Sequence, residues 1–165
     1  MRVFGVVGWK NNGKTTLVER LVAHLTAEGY RISTVKHAHH EVDLDQPGKD
    51  TWRHRQAGAE EVVLATARRW AVIHELRGAS EPGLDELLAK MTPVDLILVE
   101  GFKRFSHPKL EVHRRERGTP LLAVEDATIV AVATDETLPE IAVPQFPLDD
   151  IPAIAEFVLR HAGSR

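Results

Sequence analysis

Eight residues near the start of the chain constrain its fold more than any other segment. They run from Gly8 to Thr15 and complete the pattern Gly-x4-Gly-Lys-Thr. A short apolar run precedes the pattern and a helical stripe follows it, which is the strand–loop–helix context of a phosphate-binding loop. The alternative is a glycine turn that only joins a strand to a helix. A chance match of this kind in a chain of this length is on the order of one in a hundred, so the pattern favours phosphate binding.

Each part of this loop has a chemical role in holding a nucleoside triphosphate with magnesium. Glycines allow successive backbone N–H groups to point at phosphate oxygens, and the following helix adds the positive end of its dipole. We expect Lys14 to reach the β- and γ-phosphates as the catalytic cation, Thr15 to bind Mg²⁺ through its hydroxyl, and Thr16 to contact the α-phosphate. The predicted nucleotide contacts are Gly8, Asn11, Asn12, Gly13, Lys14, Thr15 and Thr16.

Apolar periodicity along the rest of the chain predicts strands that alternate with helices. Runs at 62–65 and 70–76, joined by four residues, indicate a β-hairpin and hence an antiparallel edge. The other predicted strands are 3–7, 31–36, 96–99, 121–124 and 129–133, and the predicted helices are 17–25, 84–91 and a last one opened by Asp149 or Asp150. The pattern predicts an α/β protein of the P-loop NTPase fold, with a mainly parallel sheet flanked by helices and an antiparallel hairpin insertion. We expect a single nucleotide-binding domain over residues 1–165.

The composition excludes several classes of protein. The chain has no cysteine, so it holds neither disulfides nor thiolate metal sites. Its net charge of -3 provides no bulk attraction to nucleic acid or to an anionic membrane. The apolar run at the amino terminus breaks at Gly5 and Gly8 and is too short for a signal peptide or a membrane span. We therefore expect a cytoplasmic protein that binds neither nucleic acid nor membrane.

A second acidic site is expected at the end of the strand at 96–99. P-loop proteins usually carry an apolar strand that ends in an acid handling Mg²⁺ or its water, and Glu100-Gly101 follows this strand. Asp95 precedes the strand and should lie at the opposite end of the sheet, more than ~13 Å away. We predict that Glu100 has a catalytic and metal-binding role, against the alternative of an exposed acid, and that Gly101 lets the chain pass close to a phosphate.

Asp50 is a further candidate for Mg²⁺ binding and catalysis. The alternative is that it caps the amino end of a helix over 51–56. The sequence leaves the two readings open.

Two further clusters follow from the residue types. The segment 103–117 carries six Lys/Arg against two Glu, which indicates either a groove for an anionic ligand or acidic partner, or a solvated charged face. His37, His39 and His40 lie in a polar stretch from 37 to 49 that we interpret as a long loop. Without cysteine a structural metal there is disfavoured. His37 follows Lys36 at the end of a strand, where ligands bind in open α/β sheets, so this pair is interpreted as serving the ligand or the Mg²⁺ shell. Trp9 is interpreted as covering a ligand or a partner, or as packing on a strand.

Several segments together resemble the MobB family of molybdopterin-guanine dinucleotide biosynthesis adaptors. The resemblance covers residues 1 to about 117. It is carried by the loop 8–17, by Val35-Lys36-His37 with His39-His40, by Pro47-Gly48-Lys49-Asp50-Thr51 and Ala57-Gly58-Ala59, and by Val99-Glu100-Gly101-Phe102-Lys103.

The resemblance implies a GTP-binding protein with weak GTPase activity that is usually a homodimer. It implies assistance to the guanylyltransferase MobA, which attaches GMP to molybdopterin, with molybdopterin itself as a further ligand. By the same analogy Gly13, Lys14, Thr15 and Thr16 would bind phosphates, and Glu100 with Asp50 would serve Mg²⁺. The Asn-Lys-x-Asp guanine signature of many GTPases is missing, and Asp135, after a late strand, is the acid that could accept hydrogen bonds from a guanine edge.

Two other functions share the same loop. A small-molecule kinase would use the basic segment 103–117 as an arginine-bearing lid over an anionic acceptor. A metallochaperone GTPase would work through the histidine loop. We favour the adaptor, because no obvious general base stands beside the loop and slow hydrolysis is therefore expected.

Overall fold

A computed structural model of the chain describes residues 1–38 and 43–164. Its internal contacts divide it into two compact units, Met1–His37 with Met91–Arg165 and Ala38–Lys90. The first unit holds the main sheet and the glycine loop, and the second holds a small hairpin. The assignment of one nucleotide-binding domain to residues 1–165 stays a prediction.

The strands lie close to the apolar runs of the sequence. Along the described chain they are β1 (Arg2–Val7), β2 (Ile32–Lys36), β3 (Glu61–Ala65), β4 (Trp70–His74), β5 (Leu96–Glu100), β6 (Lys109–His113), β7 (Ile129–Thr134), β8 (Gln145–Pro147) and β9 (Gly163–Ser164). Among the described residues, seven of these form one sheet in the order β2-β5-β1-β6-β7-β8, with β9 paired to β1. All pairs along that order are parallel, and only the short β9 pairing is antiparallel. The predicted α/β fold with a mainly parallel sheet is confirmed.

The helices are α1 (Lys14–Ala27), α2 (Asp50–Gln56), α3 (Leu84–Ala89) and α4 (Ile151–His161), with 3-10 turns at Arg115–Arg117 and Leu122–Val124. The first and the last of these helices belong to the unit of the main sheet and flank that sheet, whereas α2 and α3 belong to the second unit. The apolar stripes of α1 and α4 bury Leu21 and Ile154 in one core with Phe4 of β1 and Leu98 of β5. Helix α1 ends shortly before Gly29, whose φ of +90° is typical of a residue that follows a helix. Helix α4 is capped at its start by Asp150, which accepts a hydrogen bond from the Ala153 N–H at 3.2 Å, so the predicted start of the last helix is confirmed. No helix of the described chain is long and apolar enough to cross a membrane.

The predicted hairpin is present, but it is not an edge of the main sheet. Strands β3 and β4 pair antiparallel with each other in a separate two-stranded sheet of the second unit. The turn between them closes where the Thr66 hydroxyl accepts a hydrogen bond from the Arg69 N–H at 3.1 Å. The prediction of an antiparallel edge is therefore wrong, because a hairpin signal specifies only local pairing.

Two further expectations are corrected. The run at 121–124 was expected to be a strand, yet Leu122–Val124 is a 3-10 turn whose Leu122 and Ala123 N–H groups donate to the Glu111 carboxylate at 3.0 and 2.9 Å. For the segment 103–117 the sequence predicts either a basic groove or a solvated charged face, but the middle of this segment forms the fully buried strand β6. Lys109, Glu111 and His113 alternate there with Leu110 and Val112, and these buried polar side chains concealed the strand because it lacks a continuous apolar run.

Candidate phosphate-binding site

The glycine loop lies between the end of β1 and the start of α1, at the carboxyl edge of the parallel strands. This edge is where ligands bind in open α/β sheets. Gly8 has a φ of +144°, and a Cβ placed on it would lie 2.5 Å from the carbonyl oxygen of Val112 in β6. Gly13, with a φ of +100°, caps α1, and Asn11 also has a positive φ of 67°. The loop thus turns tightly against β6 and directs the first N–H groups of α1 outward.

Lys14 and Asn12 are held within this loop by hydrogen bonds. The Lys14 ammonium donates to the Trp9 carbonyl oxygen at 2.8 Å. Partial burial lowers the pKa of Lys14, Glu100 opposes that shift, and Lys103 and Lys36 add to it. Asn12 is completely buried, and its amide donates to the Thr119 hydroxyl at 3.4 Å. The Lys14 ammonium therefore lies over the loop as a partly buried cation, and a bound anion would offset the cost of its burial.

The acid predicted at the end of β5 meets the loop directly. The Thr15 hydroxyl donates a hydrogen bond to Glu100 Oε1 at 2.8 Å. The register places Glu100 between Val6 of β1 and Lys36 of β2. Glu100 is 8% exposed, so the alternative of an exposed acid is wrong. Asp95 lies at the other end of β5, where it accepts a hydrogen bond from the Arg31 N–H at 2.8 Å, as expected.

Lys36 completes this cluster, at the end of the strand where the sequence predicts a ligand contact by Lys36 and His37. Its ammonium lies 3.0 Å from Glu100 Oε1 and 3.3 Å from the Thr15 hydroxyl. A cation thus contacts the same two oxygens that were predicted to serve Mg²⁺. A carboxylate with a hydroxyl is the donor set that a hard divalent cation prefers, so these residues fit the predicted metal. The signal for Lys36 is its position at the end of a neighbouring parallel strand.

Gly101 and His37 lie side by side next to this cluster. Gly101 has a φ of +93°, and a Cβ on it would lie 3.1 Å from His37 Cβ. The His37 ring stacks on Phe102 with 4.6 Å between ring centroids. His39 and His40 lie outside the described residues, and within residues 1–38 and 43–164 no three His, Asp or Glu side chains group as a metal site would require.

Asp50 belongs to the second unit. It is exposed and is the first residue of α2, whose cap position is taken by Lys49. Asp50 is therefore not the cap residue, and its role as a magnesium ligand stays a prediction.

The basic segment contributes two side chains to the surroundings of the loop. The Lys103 ammonium lies 4.2 Å from the centre of the Trp9 ring, and the Trp9 indole donates to the Pro120 carbonyl oxygen at 2.8 Å. These contacts of Trp9 are with a loop carbonyl and a lysine rather than with a strand, and its interpretation as a cover for a ligand or a partner stays a prediction. A Cβ on Gly13 would lie 3.7 Å from Nε of Arg114, so the Arg114 guanidinium rests beside the loop. The sequence predicts an anion-binding groove for the segment 103–117 as one of two alternatives, and the positions of Lys103 and Arg114 favour that alternative at these two residues.

The face of β6 opposite to Leu110 and Val112 carries a row of buried polar groups. Lys109, Glu111 and His113 are each less than 5% exposed. The Lys109 ammonium donates hydrogen bonds to Asp126 and Thr128. Burial raises the pKa of Glu111, while its hydrogen bonds from Leu122 and Ala123 oppose that shift. This row explains why a charged segment forms a central strand.

Comparisons with known proteins give one consistent result. Residues 3–135 match the family model described as MobB, molybdopterin guanine dinucleotide synthesis protein B. The molybdopterin-guanine dinucleotide biosynthesis adapter protein of Haemophilus influenzae is 40% identical over 94% of this chain and 86% of its own length, and that of Escherichia coli is 38% identical over 92% and 87%. The crystal structure of Bacillus subtilis MobB superposes with a TM-score of 0.79 at 25% identity over 100% of both chains. That of a MobB homolog from Bacillus stearothermophilus gives 0.72 at 31% identity over 97% of both.

Proposed function

This chain belongs to the MobB family, and we propose that it is a GTP-binding adaptor with weak GTPase activity. Its task is to assist a MobA-type guanylyltransferase in the biosynthesis of molybdopterin-guanine dinucleotide. The names carried by its curated relatives and the phosphate-binding loop support this proposal. Molybdopterin is a further ligand of the assembled complex.

The observation that carries the proposal is the contact between Thr15 and Glu100. It joins the loop to the acidic strand end at 2.8 Å and so brings a hydroxyl and a carboxylate to one place. A bound Mg²⁺ would be held by Thr15 and Glu100, with Asp50 as a further predicted ligand, and would neutralise charge on the phosphates. Lys36, which contacts both oxygens in the described structure, would move aside or turn to a phosphate oxygen.

The remaining loop residues supply the triphosphate contacts. Backbone N–H groups from Gly8 to Thr16 and the Lys14 ammonium would surround the phosphates. Asn11 and Asn12 hold the loop in shape, and Gly101 leaves room at the acidic strand end. These assignments follow the geometry of the loop and its position at the edge of the sheet.

The hydrogen bonds that Glu100 accepts lead us to expect slow hydrolysis. Its Oε1 already accepts hydrogen bonds from Thr15 and Lys36. A carboxylate in that position serves a metal ion better than it activates a water molecule, because a general base needs an accepting lone pair directed at the water. GTP then acts mainly as a bound ligand of the adaptor rather than as a substrate that is rapidly hydrolysed.

Self-association into a homodimer is part of the proposal, as is residence in the cytoplasm without nucleic acid or membrane. The second unit exposes large apolar side chains on its hairpin, with Val63 60%, Leu64 52% and Trp70 68% exposed. Exposed apolar clusters often mark protein contacts. Light scattering of the wild type and of Trp70→Glu would test this surface: a dimeric mass reduced by the substitution is expected, and a monomeric wild type would contradict the homodimer.

The adaptor role is tested by reconstitution. A purified MobA-type guanylyltransferase, molybdopterin and Mg²⁺-GTP are combined with the wild type or with Lys14→Ala. We expect the wild type to bind the enzyme directly and to raise the yield of molybdopterin-guanine dinucleotide, and Lys14→Ala to raise it less. Absence of both association and stimulation, or rapid phosphate transfer to a small acceptor instead, would contradict the proposal.

A further inference from the structure

A small cavity lies at the carboxyl ends of β7 and β8, on the same sheet edge as the glycine loop. Its volume is about 160 Å³, and its lining includes Thr134, Asp135, Glu136 and Phe146. This is smaller than a site for a whole ligand, which usually measures several hundred Å³. The size suits one flat ring of a ligand whose remainder lies outside the cavity.

Asp135 is fixed at the mouth of this cavity. Its Oδ1 accepts a hydrogen bond from the Arg115 N–H at 3.1 Å. Its Oδ2 lies 3.9 Å from Nη1 of Arg114, which is an ion pair but too far for a hydrogen bond. A carboxylate has about four lone-pair positions, so Asp135 can still accept from a ligand while the backbone holds it in place.

Arg114 connects this carboxylate to the phosphate-binding loop. The same guanidinium that pairs with Asp135 rests beside Gly13, at 3.7 Å from the position of a Cβ on that glycine. One side chain therefore spans the distance between the loop and the cavity mouth. A nucleotide with its phosphates in the loop would have its base within reach of Asp135.

We propose that Asp135 is the carboxylate that selects guanine, and that the cavity beside it takes the edge of the base. Guanine presents two N–H donors on neighbouring atoms, N1 and the 2-amino group, and a carboxylate accepts from both. Adenine presents an unprotonated N1 at that edge, so its lone pair would face the carboxylate. This inference rests on the proposed function, since it assigns the base end of the same nucleotide site.

The other polar side chains of the cavity are placed less well for this task. Glu136 is 65% exposed at its side chain and pairs with Arg115 at 3.8 Å. The Gln145 amide is already used in two hydrogen bonds with the backbone of Leu138, at 2.8 and 2.7 Å. Thr134 donates its hydroxyl to the Glu136 carbonyl oxygen at 3.0 Å. Asp135 is thus the anchored acceptor that still faces a ligand.

The test is a calorimetric titration of the full chain with Mg²⁺ complexes of GTP, ATP and xanthosine triphosphate. Asp135→Asn replaces one acceptor by an amide donor, which opposes the guanine 2-amino group and matches the 2-oxo group of xanthine. We expect GTP to bind roughly 10- to 100-fold more weakly than to the wild type, and xanthosine triphosphate to bind more tightly. Glu136→Gln removes the same charge from the same cavity and should leave the GTP preference unchanged.

The possible results separate this inference from the proposed function. If Asp135→Asn weakens all three nucleotides equally, Asp135 acts only by holding Arg114, and the inference is overturned while GTP binding stands. The same conclusion follows if the substitution leaves the preference for GTP unchanged, or if Glu136→Gln abolishes it. If the wild type itself binds GTP no better than ATP, both the inference and the guanine part of the proposed function fail.

Discussion

At the scale of single residues, Glu100 shows how position determines the chemistry of an acid. It ends a buried strand and pairs with Val6 near the end of β1, just before the loop. Its Oε1 accepts hydrogen bonds from both the Thr15 hydroxyl and the Lys36 ammonium. Two donors on one oxygen hold the carboxylate in one orientation. A fixed orientation is a property that a magnesium ligand requires.

The first prediction concerns this residue. Glu100→Gln removes the charge that would hold Mg²⁺ while keeping the size of the side chain. We expect the gain in GTP affinity that Mg²⁺ brings to fall by about tenfold or more, because a hydrogen bond or ligand bond to a charged oxygen contributes about 1.5–3 kcal/mol. Calorimetry with and without Mg²⁺ measures it. Asp95→Asn, at the opposite end of the same strand, is the control, and an equal loss there would contradict the assignment.

The second prediction concerns Glu111 in β6. Burial holds the pKa of Glu111 above its ordinary value of 4.5. Between that value and the raised pKa the folded protein binds more protons than the unfolded chain, so the free energy of unfolding contributed by this group falls as pH rises through the window. Lys103 and His113 face the carboxylate and oppose part of the shift.

Urea denaturation at about pH 5 and about pH 8 tests this on the wild type, on Glu111→Gln and on Glu116→Gln, an exposed acid of the same segment. We expect the free energy of unfolding of the wild type and of Glu116→Gln to fall between these two pH values by an amount that is missing in Glu111→Gln. If Glu111→Gln declines as much as the wild type, the raised pKa is refuted.

At the scale of elements, the loop is shaped by its neighbour β6. The third prediction compares Gly8→Ala with Gly118→Ala. Both residues have positive φ, but a Cβ on Gly8 would meet the Val112 carbonyl oxygen at 2.5 Å, whereas nothing lies within 4 Å of one on Gly118. We expect Gly118→Ala to lower the free energy of unfolding by about 1–2 kcal/mol, and Gly8→Ala by about 3 kcal/mol or more.

Urea denaturation of the two variants measures the difference. Nucleotide affinity should fall only in Gly8→Ala, because the clash moves the loop itself. Equal destabilisation of the two variants would mean that β6 does not confine the loop.

The elements also show what the sequence could and could not predict. Strand β1, helix α1 and the acidic end of β5 were predictable, because each has a local pattern and the loop motif fixes their order. Strand β6 was not predicted, since its residues Lys109, Glu111 and His113 are polar and become buried only through partners elsewhere in the chain. The predicted strand at 121–124 was wrong for the same reason, because its N–H groups turn toward the Glu111 carboxylate.

The same limit applies to the site. Lys14, Thr15 and Glu100 were found from motifs. Lys36 and Arg114 reach the loop because of the strand order β2-β5-β1-β6, which local patterns do not specify.

At the scale of the whole molecule, the chain carries a phosphate-binding loop that is common to many proteins of this fold. The loop and its acidic partner would serve a triphosphate in any protein of this fold, and fold alone does not determine function. Membership of the MobB family links the chain to molybdopterin-guanine dinucleotide biosynthesis, where we propose that nucleotide binding serves a partner enzyme. This proposal depends first on whether the loop holds Mg²⁺-GTP.

The measurement that tests this most directly is calorimetric titration with GTP and ATP, with and without Mg²⁺. The wild type is compared with Lys14→Ala and with Lys90→Ala, a surface lysine of the second unit that pairs with Glu86 at 3.5 Å. We expect the wild type and Lys90→Ala to bind Mg²⁺-GTP at least about tenfold more tightly than Mg²⁺-ATP, a difference of about 1.4 kcal/mol, and Lys14→Ala to lose most of this affinity. Unchanged GTP binding by Lys14→Ala, or a tenfold preference of the wild type for ATP, would contradict the proposal.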